Sequence, residues 1–280
     1  MKKVVLLLAL ALIGVLQVQA HPGVGIVMDR HGNVFYTDLV QVWRITPDGH
    51  RSVVVPKVHT HELAVISGDI LIGEEVRYAG GSSWQHRVWH RRPDGRISDL
   101  VAWKDGFWQN YALNRDRAGA TYLVQCPEKV CVIRKRGRDG RTTILARGTQ
   151  FNYPVNWLAV SPIGAVFFND GPDLRRIDEH GTLSTVAGGL GPPDDQNALM
   201  GLKAMVDGSV YVAVPSRRSI LRVGANGEIS TAAQSPDPWA PSGMLRAPDG
   251  TLWILEFDPA NRVQVRRIGP RGEVTVFGAP

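Results

Sequence analysis

RITPDG at residues 44–49 sits between two short apolar runs, and the whole stretch VWRITPDGHRSVVV (42–55) returns five more times along the chain. Its echoes are VWHRRPDGRISDLV (88–101), VIRKRGRDGRTTIL (132–145), LRRIDEHGTLSTV (174–186), ILRVGANGEISTA (220–232) and VRRIGPRGEVTVF (265–277). The turn glycines Gly49, Gly95, Gly140, Gly181, Gly227 and Gly272 are 46, 45, 41, 46 and 45 residues apart. Five residues before each glycine stands a basic or protonatable side chain: Arg44, His90, Lys135, Arg176, Arg222 or Arg267. Each segment reads as strand, tight turn, strand, with glycine supplying the positive backbone angle that the turn needs.

A second hairpin precedes each of these, from GIVMDRHGNVFYTD (25–38) to MLRAPDGTLWILE (244–256). Two hairpins per repeat make four strands. Six such repeats of about 45 residues predict an all-β chain, a six-bladed β-propeller of four-stranded antiparallel blades. A pair of β-sandwiches would not restart one four-strand pattern six times. The first repeat starts just after residue 21 and the last ends at Phe277, so ring closure is expected from face-to-face packing of the first and last blades.

The chain opens MKKVVLLLALALIGVLQVQA, a basic start, an apolar run and small residues at cleavage spacing, which predicts a signal peptide over 1–20 and a single propeller domain over 21–280. No later stretch is long and apolar enough to span a membrane, so a periplasmic or secreted protein is expected. The two cysteines, Cys126 and Cys131, are expected to form a local disulfide in that oxidising compartment. The formal charge of +6 includes Lys2 and Lys3 of the leader, and the remaining basic residues are spread over all repeats. Nucleic-acid binding, which needs a concentrated basic patch, is not expected.

The blade grammar in GIVMDRHGNVFYTD and PSGMLRAPDGTLWILEFD resembles the NHL repeat, and also the gluconolactonase and senescence-marker-protein family of six-bladed propellers. The second resemblance implies a divalent metal, Ca²⁺ or another hard cation, held at the top of the central channel by oxygen ligands. It implies Glu62, Asn156 and Asn197 as those ligands, with Asn110 in an equivalent approach segment. Ser242 stands where the family has an Asp serving as ligand and base, which leaves that role unfilled.

Beside the resemblance, HTHE at 59–62 is the most suggestive local cluster: His59 and His61, two apart in a strand, share a face and could aim at one metal, with Glu62 pointing elsewhere. The alternative is a polar approach loop whose histidines bond to the backbone. Trp108 and Trp157 fall in connections on the predicted channel-entrance face, where rings either form a ligand platform or pack between blades. Asp38, Glu74, Asp170 and Glu256 recur near the ends of second strands, positions that often form turns. There is no nucleophile elbow, phosphate loop or zinc-protease helix. Two functions remain open: an exported propeller binding a small molecule, glycan or protein segment on the entrance face, with His59, His61, Glu62, Trp108, Asn110, Asn156, Trp157, Asn197 and Ser242 as candidate contacts, or a metal-dependent lactonase-like hydrolase.

Overall fold

The computed structural model describes residues 22–80, 83–106, 113–126 and 130–278. The expected leader, Trp108 and Asn110 lie outside the described residues. Twenty-four strands form six antiparallel four-stranded sheets in chain order. Blade 1 is β1 (Ile26–Met28), β2 (Val34–Thr37), β3 (Val42–Ile45) and β4 (Arg51–Val55). Blade 2 is β5 (Thr60–Ile66), β6 (Ile70–Gly80), β7 (Ser83–Arg91) and β8 (Ile97–Asp105). Blade 3 is β9 (Asn114–Arg115), β10 (Thr121–Gln125), β11 (Val132–Arg136) and β12 (Thr142–Arg147). Blade 4 is β13 (Leu158–Val160), β14 (Val166–Asp170), β15 (Asp173–Ile177) and β16 (Leu183–Ala187). Blade 5 is β17 (Met200–Ala204), β18 (Val210–Val214), β19 (Ser219–Val223) and β20 (Ile229–Gln234). Blade 6 is β21 (Ala240–Arg246), β22 (Leu252–Phe257), β23 (Val263–Ile268) and β24 (Val274–Gly278).

The repeated turn has one geometry throughout. Gly49, Gly95, Gly140, Gly181, Gly227 and Gly272 all have φ between +80° and +90°, and each donates its N–H to the carbonyl three residues earlier. The repeated basic residue has a packing role. Lys135, Arg176, Arg222 and Arg267 lie directly across from Tyr122, Phe167, Tyr211 and Trp253 on the second strands. Three of these cations sit 5.4, 5.9 and 5.6 Å from the facing ring. The aliphatic stem covers apolar surface while the charge meets the ring face.

First strands of neighbouring blades touch around the axis, so the β4-to-β1 connections and the loops between second and third strands share one end, here the upper face. The repeated turns occupy the lower face. Apolar clusters join blades 1 and 2, 3 and 4, 4 and 5, 5 and 6, and 6 and 1. The ring therefore closes by packing of blade 6 on blade 1: Ile26 and Tyr36 join Leu245, Trp253 and Leu255 in one core, and Arg51 donates to the Gly278 carbonyl. Among the described residues no apolar cluster joins blades 2 and 3.

Blade 2 departs from the others by the length of its outer strands, eleven residues in β6 and nine each in β7 and β8. Its core is set by Trp89, fully buried, whose indole N–H donates to Thr60 Oγ1 at 3.0 Å. Gly73 lies opposite in β6, and any side chain there would overlap the Trp89 ring. That close approach explains a glycine inside an otherwise apolar strand. The disulfide between Cys126 and Cys131 is present and ties β10 to β11 at the upper face.

Candidate functional site

The channel is narrow because the first strands approach one another backbone to backbone. A Cβ at Gly201 would fall on the Ser242 carbonyl, and one at Gly243 on the Val24 carbonyl. The space left along the axis is a cavity of about 120 Å³ whose lining includes Gly25, Glu62, Asn114, Trp157, Gly201 and Lys203.

Glu62 reaches this cavity through a break in the β5 ladder. Thr60 pairs with Glu75 and Leu63 with Gly73, so His61 and Glu62 together oppose the single residue Glu74. Two residues against one is a β-bulge, which re-aims side chains that the pleat would otherwise fix. Glu74 is 3% exposed, and neither of its carboxyl oxygens has a hydrogen-bond partner. Burial pushes Glu74 up to about 9, with the neighbouring Glu62 charge adding to the rise. Glu62 borders the bore but is enclosed by protein, and burial raises it to about 7. Burial also lowers Lys203, farther down the bore. Two carboxyls thus face one another across a bulge, both biased toward the protonated form.

The upper loops bring a second pair together. Asn156 Nδ2 donates to Asn197 Oδ1 at 3.0 Å and to the Gln196 carbonyl at 3.1 Å. Asn169, fully buried, fastens both loops: its Oδ1 accepts the N–H groups of Asn156 and Trp157, and its Nδ2 donates to the Gln196 carbonyl. His59 and His61 face each other, Nε2 to Nε2 at 3.0 Å with rings nearly perpendicular, while His59 Nδ1 bonds the Leu39 carbonyl at 3.1 Å. If His59 donates to Leu39, its Nε2 is the acceptor and His61 carries the proton between them.

The other sequence candidates are tied into the scaffold. Ser242 is 1% exposed and its hydroxyl donates to the Gly23 carbonyl at 2.8 Å, bracing blade 6 against the start of blade 1. Trp157 is 5% exposed and packs with Met200, Met244 and Ile254 between blades 5 and 6. Of the four strand-end acids, Asp38 and Asp170 accept backbone N–H groups of their loops. Glu256 is fully buried among Ser235, Gln264 and Arg266. Glu74 alone of the four has no such partners, and reading all four as turn formers missed it. Its signal was an acid within ILIGEEV, a run whose apolar residues declare burial.

Of the oxygen ligands implied by the resemblance, Glu62 borders the bore and Asn156 and Asn197 meet in the upper loops. Asn156 and Asn197 are engaged with one another, Ser242 is committed to a backbone carbonyl, and no group of three His, Cys, Asp or Glu side chains converges among the described residues.

No family model and no curated protein matches the chain. Solved structures do. A gluconolactonase from Xanthomonas campestris is similar at 16% identity and TM-score 0.57, covering 92% of this chain and 85% of its own. Regucalcin from Agrobacterium tumefaciens, a calcium-binding protein, is similar at 14% identity and TM-score 0.55, over 84% and 81%. Virginiamycin B lyase from Staphylococcus aureus is similar at 15% identity and TM-score 0.55, over 92% and 84%. At such identities the likeness establishes the six-bladed fold and leaves chemistry to the site.

Proposed function

We propose that the protein is an exported hydrolase that takes a small, hydroxyl-bearing cyclic ester, a lactone, at the upper mouth of the channel, with Glu62 as the proton-transfer group. The observation carrying this reading is the β5 bulge, which sets Glu62 against an unpartnered Glu74 in the channel wall. This chain satisfies its purely structural buried acids: Asp170 pairs with Arg175 at 2.8 Å and Glu256 with Arg266 at 2.7 Å. Leaving two facing carboxyls without such support is costly for a scaffold and useful for chemistry.

A carboxyl titrating near 7 is half in its basic form at neutral pH, which is the range that suits general acid–base work. In the forward step Glu62 accepts a proton from the water that adds to the lactone carbonyl. It then returns the proton to the ring oxygen as the C–O bond breaks, giving the hydroxy acid. Protonated Glu74 keeps a second negative charge out of the pocket, so Glu62 can ionise there. The likeness to a gluconolactonase supports the substrate class. The leader-like N-terminus and the disulfide support export.

The test is hydrolysis of a panel of sugar and aliphatic lactones by the purified protein, followed by pH indicator, with Glu62→Gln beside it. It is run in chelator and again with added Ca²⁺, Mn²⁺ or Zn²⁺. Loss of turnover by about 100-fold in Glu62→Gln is expected on the general-base argument. Turnover that survives the substitution refutes the role of Glu62, and absence of turnover across the panel refutes the lactonase reading.

A further inference from the structure

We propose that the lower face carries a separate anion site in the cleft between blades 2 and 3, built to hold a multiply charged phosphate or sulfate ester. The cleft has a volume of about 670 Å³, within the range of small-molecule sites. One wall is the end of β5 and its turn, from Val65 to Ser67. The other is the pair of lower turns of blade 3, which bring Arg115, Arg117, Arg136 and Arg138 to a single space.

The cleft gathers four guanidiniums in one space. Several arginines elsewhere are matched to acid: Arg87 with Glu75 and Asp99, Arg222 with Asp207, Arg262 with Asp258. Among the described residues Arg117, Arg136 and Arg138 have no carboxylate within ion-pair distance. The nearby acids are already committed. Asp116 accepts the Ala120 N–H at 2.9 Å and the Tyr122 hydroxyl at 2.9 Å, and lies 3.6 Å from Lys135. Asp139 caps its own turn by accepting the Arg141 N–H at 3.0 Å. Asp69, on the blade 2 turn, is held by Arg30 and His31.

The cleft is also specified by its packing. It lies at the blade boundary where no apolar cluster forms among the described residues, so the wall is free to be charged without breaking a core. Gly119 leaves open the space that the Arg138 guanidinium occupies, since a Cβ there would overlap that side chain. The Arg138 head is thereby laid over the β9–β10 turn at Gly119. Planar guanidiniums bind phosphate and sulfate oxygens in paired hydrogen bonds, which makes arginine the fitting residue for such a ligand.

The experiment is calorimetric titration of the purified protein with inorganic pyrophosphate and with a sulfated disaccharide, plus co-sedimentation with phosphatidylglycerol or phosphatidylcholine vesicles. Three proteins are compared: wild type, Arg117→Glu/Arg138→Glu, and Arg271→Glu on the same face of blade 6. A neutral Arg117→Gln/Arg138→Gln variant serves if charge reversal prevents folding. Saturable binding of a soluble anion, weakened at least tenfold by either cleft variant and less than twofold by Arg271→Glu, supports the site. Binding confined to anionic vesicles, with the same dependence on the variants, supports it with a lipid headgroup as the anion's source. Failure of every probe to bind saturably overturns the proposal, as does an equal loss in Arg271→Glu, which would mark general charge attraction. Lactone turnover is measured on the same variants, and its presence or absence bears only on Glu62.

Discussion

Replacing Glu74 by Gln should change the pH dependence of stability over a wide range. Glu74 is buried without partners, and its carboxyl is raised from 4.5 to about 9 in the folded protein. Linkage fixes the sign. The folded state holds the Glu74 proton between these two values while the unfolded chain releases it, so the stability associated with that proton is complete below about 4.5. It is lost progressively as pH rises toward about 9. Each unit of displacement corresponds to about 1.4 kcal/mol, so at pH ~8 wild type is destabilised by roughly 3–5 kcal/mol relative to pH ~4.5 through this group. For a domain of this size that is a shift in Tm on the order of 10 °C. The variant keeps the shape and loses the titration. Thermal unfolding of both proteins, followed by far-ultraviolet circular dichroism across that range in chelating buffer, should give curves that meet in acid and diverge with rising pH, the variant being the more stable. A constant offset would report packing alone. Parallel curves over the whole range would refute the claim that Glu74 is an unpartnered buried acid.

Two further substitutions test how the ring is held. Gly243→Ala places a methyl group against the Val24 carbonyl where blade 6 meets blade 1, and is expected to cost about 1–3 kcal/mol in denaturant unfolding; an unchanged midpoint would mean the ring does not close by this contact. Arg266→Ala strips the guanidinium from fully buried Glu256 and from the Gln234 carbonyl of blade 5, and is expected to cost about 3–5 kcal/mol. Pairing it with Glu256→Leu should recover most of that loss, and failure to recover would show that the ion pair is not the source of the effect.

The fold was legible because the propeller repeats its local chemistry. A turn glycine every 45 residues or so, a basic residue five positions earlier and an aromatic across the sheet each follow from physics acting within one blade, and each leaves a mark in the chain. The site follows from differences between blades, which carry no such mark. Ser242 looks like a ligand position by count, but its hydroxyl braces blade 6 against Gly23. Trp157 looks like a loop ring, yet the loop turns it into the core between blades 5 and 6. Glu62 was visible, while its neighbour Glu74 was not, because their meeting depends on a bulge in β5 that no spacing rule announces. The arginines of blade 3 likewise read as scattered charge until two turns brought them to one cleft.

These departures share a location. Blade 2 is joined to blade 1 by the cluster around Trp89, and blade 3 to blade 4 by the cluster around Phe168. Each blade is therefore anchored on its far side. Among the described residues the boundary between them carries no apolar cluster, while the other five interfaces each carry one. A boundary without such a cluster is the least expensive place in a propeller to keep polar side chains. Ionisable side chains collect on blades 2 and 3 at opposite ends: two carboxyls where β5 bulges into the channel, and four guanidiniums where blade 3 turns below. Variation that adds polar side chains at any other boundary removes core. Here it removes little, so the chemistry of the upper face and the charge of the lower one can change without unmaking the fold.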